Sequence, residues 1–376
     1  MAILQTRWLA LAALFLLAAC RGDVPPVQAD AAAREQQKQA FVEALKPRRP
    51  GKPVVAVLAR NKATETTDFL LTHAVLKRSG VAEVHAIAPQ RGRVSLYPAL
   101  EVEVAEDLAA FDKARPDGPD YVIVPAMLYE EDQDPAIDAW LRKQAERGAR
   151  LVSVCAGALV VAHAGLLDGR RFTTHWFFRE RILEAHPKAV YVPHQRYVVD
   201  RDVATSTGIT ASVPTMLALV EAIGGREKAA ALAAELGVDS WMPVHDSNAY
   251  GLSFERGFHY LLAKAAFWRN DRRAVDVSEG MDDIALAFAA DAWSRTGHVE
   301  VVASAPGPVK LRSGLILAAQ PAPEGTPRIS LAASAKPVEQ LGRTLCEIEE
   351  RFGAARREWT MVELEYGATP PCAAGA

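Results

Sequence analysis

The chain reads as an α/β protein: a parallel sheet sandwiched by helices, followed by a C-terminal α+β extension that partly repeats the first domain. Three observations predict this. Short apolar runs alternate with helix-spaced segments between residues 52 and 228. One run, Leu151-Val-Ser-Val, passes directly into Cys155-Ala156-Gly157 and then into an apolar helix, the strand–turn–helix form of a nucleophile elbow. A ten-residue segment at 80–89 recurs without gaps at 297–306, with six identical positions.

The elements follow in order. Residues 54–59 are an apolar run and read as a buried strand. Residues 68–78 carry Phe69, Leu70, Ala74 and Leu76 at helical spacing and stop before Gly80. A strand is expected at 84–88, a small hairpin at 94–96 and 100–104, and a buried strand at 121–124. A helix at 135–147 ends before Gly148, and the elbow strand occupies 151–154. Further strands at 197–199 and 203–205 precede a helix at 214–223, closed by Gly224-Gly225. Beyond them, helices are expected at 227–236, 254–268 and 282–293, then strands at 299–303, 309–311 and 315–318. The repeated unit is therefore helix, strand and hairpin. No second cysteine elbow accompanies it, so the C-terminal half is expected to be structural or interfacial, an internal pseudo-pair in place of a partner.

Composition narrows the function. The 376 residues are half hydrophobic with a net charge of −3. No basic run argues for nucleic acid, and no HExxH, CxxC or clustered Cys/His spacing argues for a metal. No cofactor is expected. The N-terminus differs from the rest. Arg7 precedes twelve apolar residues, 8–19, a run too short to span a bilayer. It ends Leu17-Ala18-Ala19-Cys20, which resembles a bacterial lipobox. That resemblance implies a signal at residues 1–20, lipidation of Cys20, and a lipid-anchored protein of the cell envelope facing the periplasm. Arg21, where inner-membrane retention favours Asp, leans toward the outer membrane. Residues 21–51 read as a tether with a helix at 31–45, residues 52–228 as the main domain, and residues 229–376 as the C-terminal region. Cys155, Cys346 and Cys372 remain. Their odd number leaves at least one free or paired between molecules, and whether Cys346 and Cys372 pair stays open.

Cys155 is the sharpest feature. A thiol at a helix N-terminus lies near unpaired N–H groups and the positive end of the dipole, which favours thiolate. Ala156 and Gly157 leave room for a substrate and for backbone donors. Thr173-Thr174-His175-Trp176 follows about twenty residues on, Thr205-Ser206-Thr207-Gly208 opens a later helix, and Asp68 begins the first one. His245-Asp246-Ser247 is triad-like in letters alone, since contiguous loop residues rarely form a triad.

In these four ordered motifs the chain resembles the ThiJ/PfpI (DJ/PfpI) family of class I glutamine-amidotransferase-like proteins, and the amidase-like ligand domain of AraC-type regulators. The resemblance covers residues 52–225 and implies a flavodoxin-like sheet. It implies that Cys155 is an easily oxidised nucleophile with His175 beside it. Asp68, twelve residues before Gly80, takes the place of an acid bonded to the sulfur, with Glu65 the rival acid. Backbone groups of Met127 and Ala156 would steady an oxyanion, with Gly157, Thr207 and Gly208 lining the site. One departure is Val124-Pro125-Ala126-Met127 where many relatives carry Gly-Gly; the bulk of Met127 would narrow the pocket. The family implies a small-molecule substrate or ligand and often a homodimer. Two functions fit: a cysteine-dependent hydrolase, hydratase or glyoxalase-like enzyme, or a small-molecule-binding or oxidant-sensing module using the same pocket.

Overall fold

A computed structural model describes residues 31–127, 134–251, 271–367 and 372. The signal segment expected at 1–20 with Cys20 and the helix expected at 254–268 lie outside the described residues. The chain begins with α1 (Ala31–Ala44), β1 (Val54–Leu58), β2 (Lys62–Glu65) and α2 (Thr66–Ser79). Then come β3 (Glu83–Ala88), β4 (Gly92–Tyr97), β5 (Glu101–Val104), β6 (Glu106–Asp107) and α3 (Leu108–Ala114). The middle holds β7 (Tyr121–Val124), α4 (Pro135–Glu146), β8 (Arg150–Ser153) and α5 (Gly157–His163). These lead to β9 (Arg171–Phe172), α6 (Arg179–Ala185), β10 (Val190–Tyr191), β11 (Tyr197–Asp200) and β12 (Val203–Ser206). Two helices, α7 (Ser212–Gly224) and α8 (Arg226–Leu236), close this part.

The main sheet has the order β11-β12-β8-β7-β1-β3-β6 and is parallel except for the β11·β12 pair. Its central strands are apolar on both faces because helices cover both. Val55 and Val57 of β1 point into one core with α2 and α7, while Ala56 and Leu58 point into the other with α4 and α5. The expected strands and helices of residues 52–236 are present, with ends displaced by a few residues at most. The expected hairpin is β4·β5, but it stands in a separate sheet. The expected helix within residues 21–51 is α1, and it is packed rather than free. Phe41, Val42 and Leu45 are buried, and the Tyr121 hydroxyl donates to the Leu45 carbonyl at 2.6 Å.

The C-terminal region contains β13 (Asp271–Asp276), α9 (Asp283–Arg295), β14 (Val299–Ser304), β15 (Val309–Lys310), β16 (Ile316–Leu317) and β17 (Arg328–Ile329). It ends in α10 (Glu339–Phe352) and α11 (Ala354–Leu364). The strand β13 and both last helices were not expected from the sequence. The sheet order β14-β13-β17 reproduces β3-β1-β7. Ala274 faces Val302 and Arg328 as Ala56 faces His85 and Val122. The same turn bond closes both hairpins: Leu96 N–H to the Leu100 carbonyl at 3.0 Å, and Leu311 N–H to the Leu315 carbonyl at 2.8 Å. Between α7 and α8 stands Gly225 with φ 89° and ψ 163°; between α10 and α11 stands Gly353 with φ 85° and ψ 165°. The copy lacks everything from α4 to β12, since only residues 330–338 separate β17 from α10.

The two units meet as the two halves of an isologous dimer would. Helix α9 packs on α2, and β16 pairs antiparallel with β5, Leu317 facing Val102. The ion pairs are reciprocal. Arg295 binds Glu65 at 2.7 Å, and Arg78 binds Asp282 at 2.7 Å. The shift of 217 residues that carries Gly80 onto Gly297 also carries Arg78 onto Arg295 and Glu65 onto Asp282. The interfacial role expected of the C-terminal half is thus met by an internal second copy. Cys346 and Cys372 form a disulfide with Cα atoms 5.4 Å apart, and Cys155 is the free cysteine among the described residues.

Arg295 also holds Asp291 at 2.9 Å from inside the interface. Removing one partner of a buried ion pair leaves uncompensated charge, so Arg295→Ala is expected to lower unfolding free energy by about 3–5 kcal/mol in a urea titration. A loss below about 1 kcal/mol, the value of a solvated pair, would contradict this role.

Candidate functional site

Cys155 lies just past β8, at the carboxyl end of the parallel strands, where α/β sheets place ligands. Its φ of 55° is left-handed, a conformation that costs a non-glycine residue about 1–2 kcal/mol. Surrounding bonds hold it there. Its N–H donates to the Thr207 carbonyl at 3.1 Å, and its carbonyl accepts from the Thr174 hydroxyl at 3.0 Å. Gly157 is needed for packing, because a Cβ there would lie 2.0 Å from the Val124 carbonyl oxygen. The Gly157 N–H donates to the Val154 carbonyl at 2.8 Å, so Gly157 supplies room and no free donor. The Ala156 N–H has no hydrogen-bond partner among the described residues and remains the donor next to the thiol.

The expectation of a resting thiolate is corrected. Burial pushes the Cys155 thiol well above its usual range. The charges of Asp68, Glu65 and Glu365 push the same way, and Arg295 opposes them. The two candidate acids separate by local geometry. Glu65 is the N-cap of α2: its carboxylate accepts the Asp68 N–H at 2.6 Å and the Thr67 hydroxyl at 2.7 Å. Asp68 lies one turn in, fully buried, and is the carboxyl that acts most strongly on Cys155. It accepts from Ala126 N–H at 3.0 Å and from the Ser212 hydroxyl at 3.2 Å. Burial, then the neighbouring Glu65, raises its pKa well above the carboxylate range; these two hydrogen bonds and Arg295 pull the other way.

His175 is committed elsewhere. Its Nδ1 accepts the Phe177 N–H at 3.2 Å, which places the proton on Nε2, and Nε2 donates to the Glu363 carbonyl at 2.9 Å. Burial pulls its pKa down to about 4, so the ring is neutral. The Trp176 Nε1 donates to the Val362 carbonyl at 2.9 Å. Met127 forms an isolated bridge with Thr64. Its side chain packs with Ile137 and Leu159 in the core on the far side of the sheet from Cys155, so its bulk is turned away from the thiol. His245-Asp246-Ser247 forms no triad, since Ser247 Oγ accepts the His194 N–H at 2.9 Å and Asp246 lies 3.6 Å from His194. Among the described residues no group of three His, Cys, Asp or Glu side chains is placed to hold a metal ion.

Glu365, at the end of α11, is the residue that sequence reasoning missed. Its carboxylate accepts the Gly208 N–H at 2.7 Å and the Trp176 N–H at 2.7 Å. The Thr207 hydroxyl also bonds it, and His245 Nε2 lies 3.6 Å away. Burial raises its pKa to about 7 against these bonds. Gly208 is obligatory here because a Cβ would come within 2.7 Å of the Glu365 side chain. The signal for Glu365 lay in the repeat: Glu235-Leu236-Gly237 ends α8 as Glu363-Leu364-Glu365 ends α11.

Residues 53–222 match the model of the DJ-1/PfpI family. Among particular relatives, the chain is 34% identical over 125 residues to the HTH-type transcriptional regulator CdhR of Pseudomonas aeruginosa, covering 32% of this chain and 37% of that protein. It is 36% identical over 103 residues to isonitrile hydratase of Pseudomonas putida, covering 27% and 42%. It is 28% identical over 191 residues to the Parkinson disease protein 7 homolog of Danio rerio, covering 50% and 97%. The crystal structure of Drosophila melanogaster DJ-1beta superposes with a TM-score of 0.45 at 22% identity, over 50% of this chain and all of that one. The chain spans well under half the length of the regulators and the hydratase that it matches.

Asp68 gives a direct test. Its negative charge raises the Cys155 pKa, so removing the charge lowers it. Asp68→Asn is expected to shift the pH profile of Cys155 alkylation by iodoacetamide toward lower pH. An unmoved profile would show that this charge does not reach the thiol.

Proposed function

We propose that the DJ-1/PfpI domain is a cysteine-dependent site for a small electrophilic substrate, acting as a hydrolase, hydratase or glyoxalase-like enzyme. The observation that carries this reading is a cysteine in a left-handed elbow conformation, with the fully buried Asp68 as the carboxyl acting on it most strongly. In the first step Cys155 Sγ bonds to the electrophilic carbon. The thiol proton passes to the Asp68 carboxylate, and the π pair of the attacked bond moves onto its heteroatom. Once ionised, Asp68 holds that proton firmly, because burial raises its pKa. Backbone N–H groups of Ala156 and Met127 steady the developing anion. For an amide, the heteroatom pair re-forms the π bond as the amine leaves with the proton from Asp68; water then adds to the acyl carbon, one of its protons passes through Asp68 to the sulfur, and the C–S bond breaks. His175 joins proton transfer only after its bond to Glu363 opens. The similarity to a protein named isonitrile hydratase supports this class.

A second reading is favoured by the depth of the thiol and by the regulators among the relatives. In it the same pocket binds a small molecule without turnover, or Cys155 registers oxidants by sulfenic and then sulfinic acid formation. Cys155→Ser separates the two. The enzyme reading expects turnover of small carbonyls, amides or isonitriles to be abolished while ligand affinity persists. A wild-type protein inert across that panel would remove the enzyme reading, and a thiol unmodified by mild peroxide in intact mass would remove the sensor.

We further infer that residues 1–20 direct export and that Cys20 carries a lipid, holding the protein to the cell envelope on the periplasmic side, with the outer membrane favoured by Arg21. The Cys346–Cys372 disulfide supports an oxidising compartment. Radiolabelled palmitate supplied to an expressing bacterial host should label the wild-type chain and not Cys20→Ser; equal labelling of both would exclude this anchor.

A further inference from the structure

We propose that the Gly208 N–H, the Trp176 N–H and the Thr207 hydroxyl form a carboxylate-binding cradle beside Cys155, whose ligand is a small carboxylate and whose resident occupant is the chain's own Glu365. Three donors from two separate loops converge on the two oxygens of one side chain. The cradle adjoins the thiol through a single residue, since the Thr207 carbonyl holds the Cys155 N–H. A molecule whose carboxylate sits on Gly208 and Trp176 therefore brings its neighbouring carbons toward the sulfur. Gly208 is shaped for such an occupant, because any Cβ would collide with the Glu365 side chain.

Glu365 is an unusual residue for its position in the chain. It follows a helix with φ 51°, in the left-handed region. The equivalent position in the first unit, after α8, is Gly237 with φ 86°. Ending a helix there calls for glycine, and a side chain adds strain. Nothing in the capping of α11 uses the carboxylate; all of its hydrogen bonds go to the first unit. The occupant is held by a short set of contacts: His175 on the Glu363 carbonyl, the Trp176 indole on the Val362 carbonyl, and the Thr210 hydroxyl on the Glu365 carbonyl at 2.6 Å. A ligand carboxylate enters by displacing the end of α11 and takes over the same donors. The release of Glu363 also frees His175.

This deepens the proposed site without needing turnover, because binding is read from thermal stability and Cys155 serves only as a reporter. The full-length Glu365→Ala protein keeps the donors and loses the occupant. Its melting temperature should rise with propionate and not with propionamide at equal concentration and ionic strength. Its Cys155 should alkylate about tenfold faster than wild type, the opening of one local closure, and propionate should slow it again. Gly208→Ala keeps the carboxylate but removes its space, and should accelerate alkylation likewise. Equal effects of propionate and propionamide on Glu365→Ala would overturn the cradle, as would Gly208→Ala alkylating at the wild-type rate. Should Glu365→Ala fail to fold, Gly208→Ala decides alone.

Discussion

The contact on which the site depends is the ion pair between Arg295 and Glu65. Glu65 is both the N-cap of α2 and the end of β2. By bonding the Asp68 N–H it sets where the helix starts, and so where Asp68 faces. Arg295 reaches it from the C-terminal unit at 2.7 Å while holding Asp291 with the same guanidinium. Planar, bidentate pairing is what arginine does and lysine cannot. Burying Asp68, Glu65 and Glu365 near one thiol is unfavourable, and Arg295 is the cation set against that concentration of negative charge. Without the second unit, Glu65 would lose its ion-pair partner and Asp68 its counter-charge.

What was legible in the sequence was what is contiguous. The elbow at Cys155 needs only a buried strand, a small-residue turn and an apolar helix, all within about fifteen residues. The strands β1, β3, β7 and β8 announce themselves because burial on both faces forces unbroken apolar runs. Asp68 and Glu65 could not be told apart by letters, since either can cap a helix and only the backbone geometry decides. His175 stands in the expected motif, but its partner is 188 residues away, and that distance hides its tie to Glu363. Glu365 lies 157 residues from Gly208, and only the Glu-Leu pair shared by the ends of α8 and α11 pointed to it.

The repeat was legible in one arm only. Strand β14 kept the apolar pattern of β3, because each lies beside a central strand under a packed helix. Strand β13 begins Asp271-Arg272-Arg273, in a sheet of three strands whose first residues are exposed, so the apolar run that marks β1 is gone. The two last helices share little sequence with α7 and α8; the paired glycines, Gly225 and Gly353, and the Glu-Leu ends of α8 and α11 betray them. Local physics preserves a backbone conformation longer than it preserves the residues around it.

A fused copy is released from symmetry. In a true homodimer every substitution is made twice, so a glutamate set at the end of one helix would be set at both. Here Gly237 and Glu365 occupy matching places and have diverged. So have their opposite numbers: Gly208 meets Glu365, whereas Lys336 meets Gly237. The tether between the units also removes dilution as a variable, since the second copy is always present at its effective concentration. One half could lose its elbow and become specialised in covering the other. A symmetric ancestor would have had to choose between two sites and none; a single chain can keep one site and devote its twin to governing it.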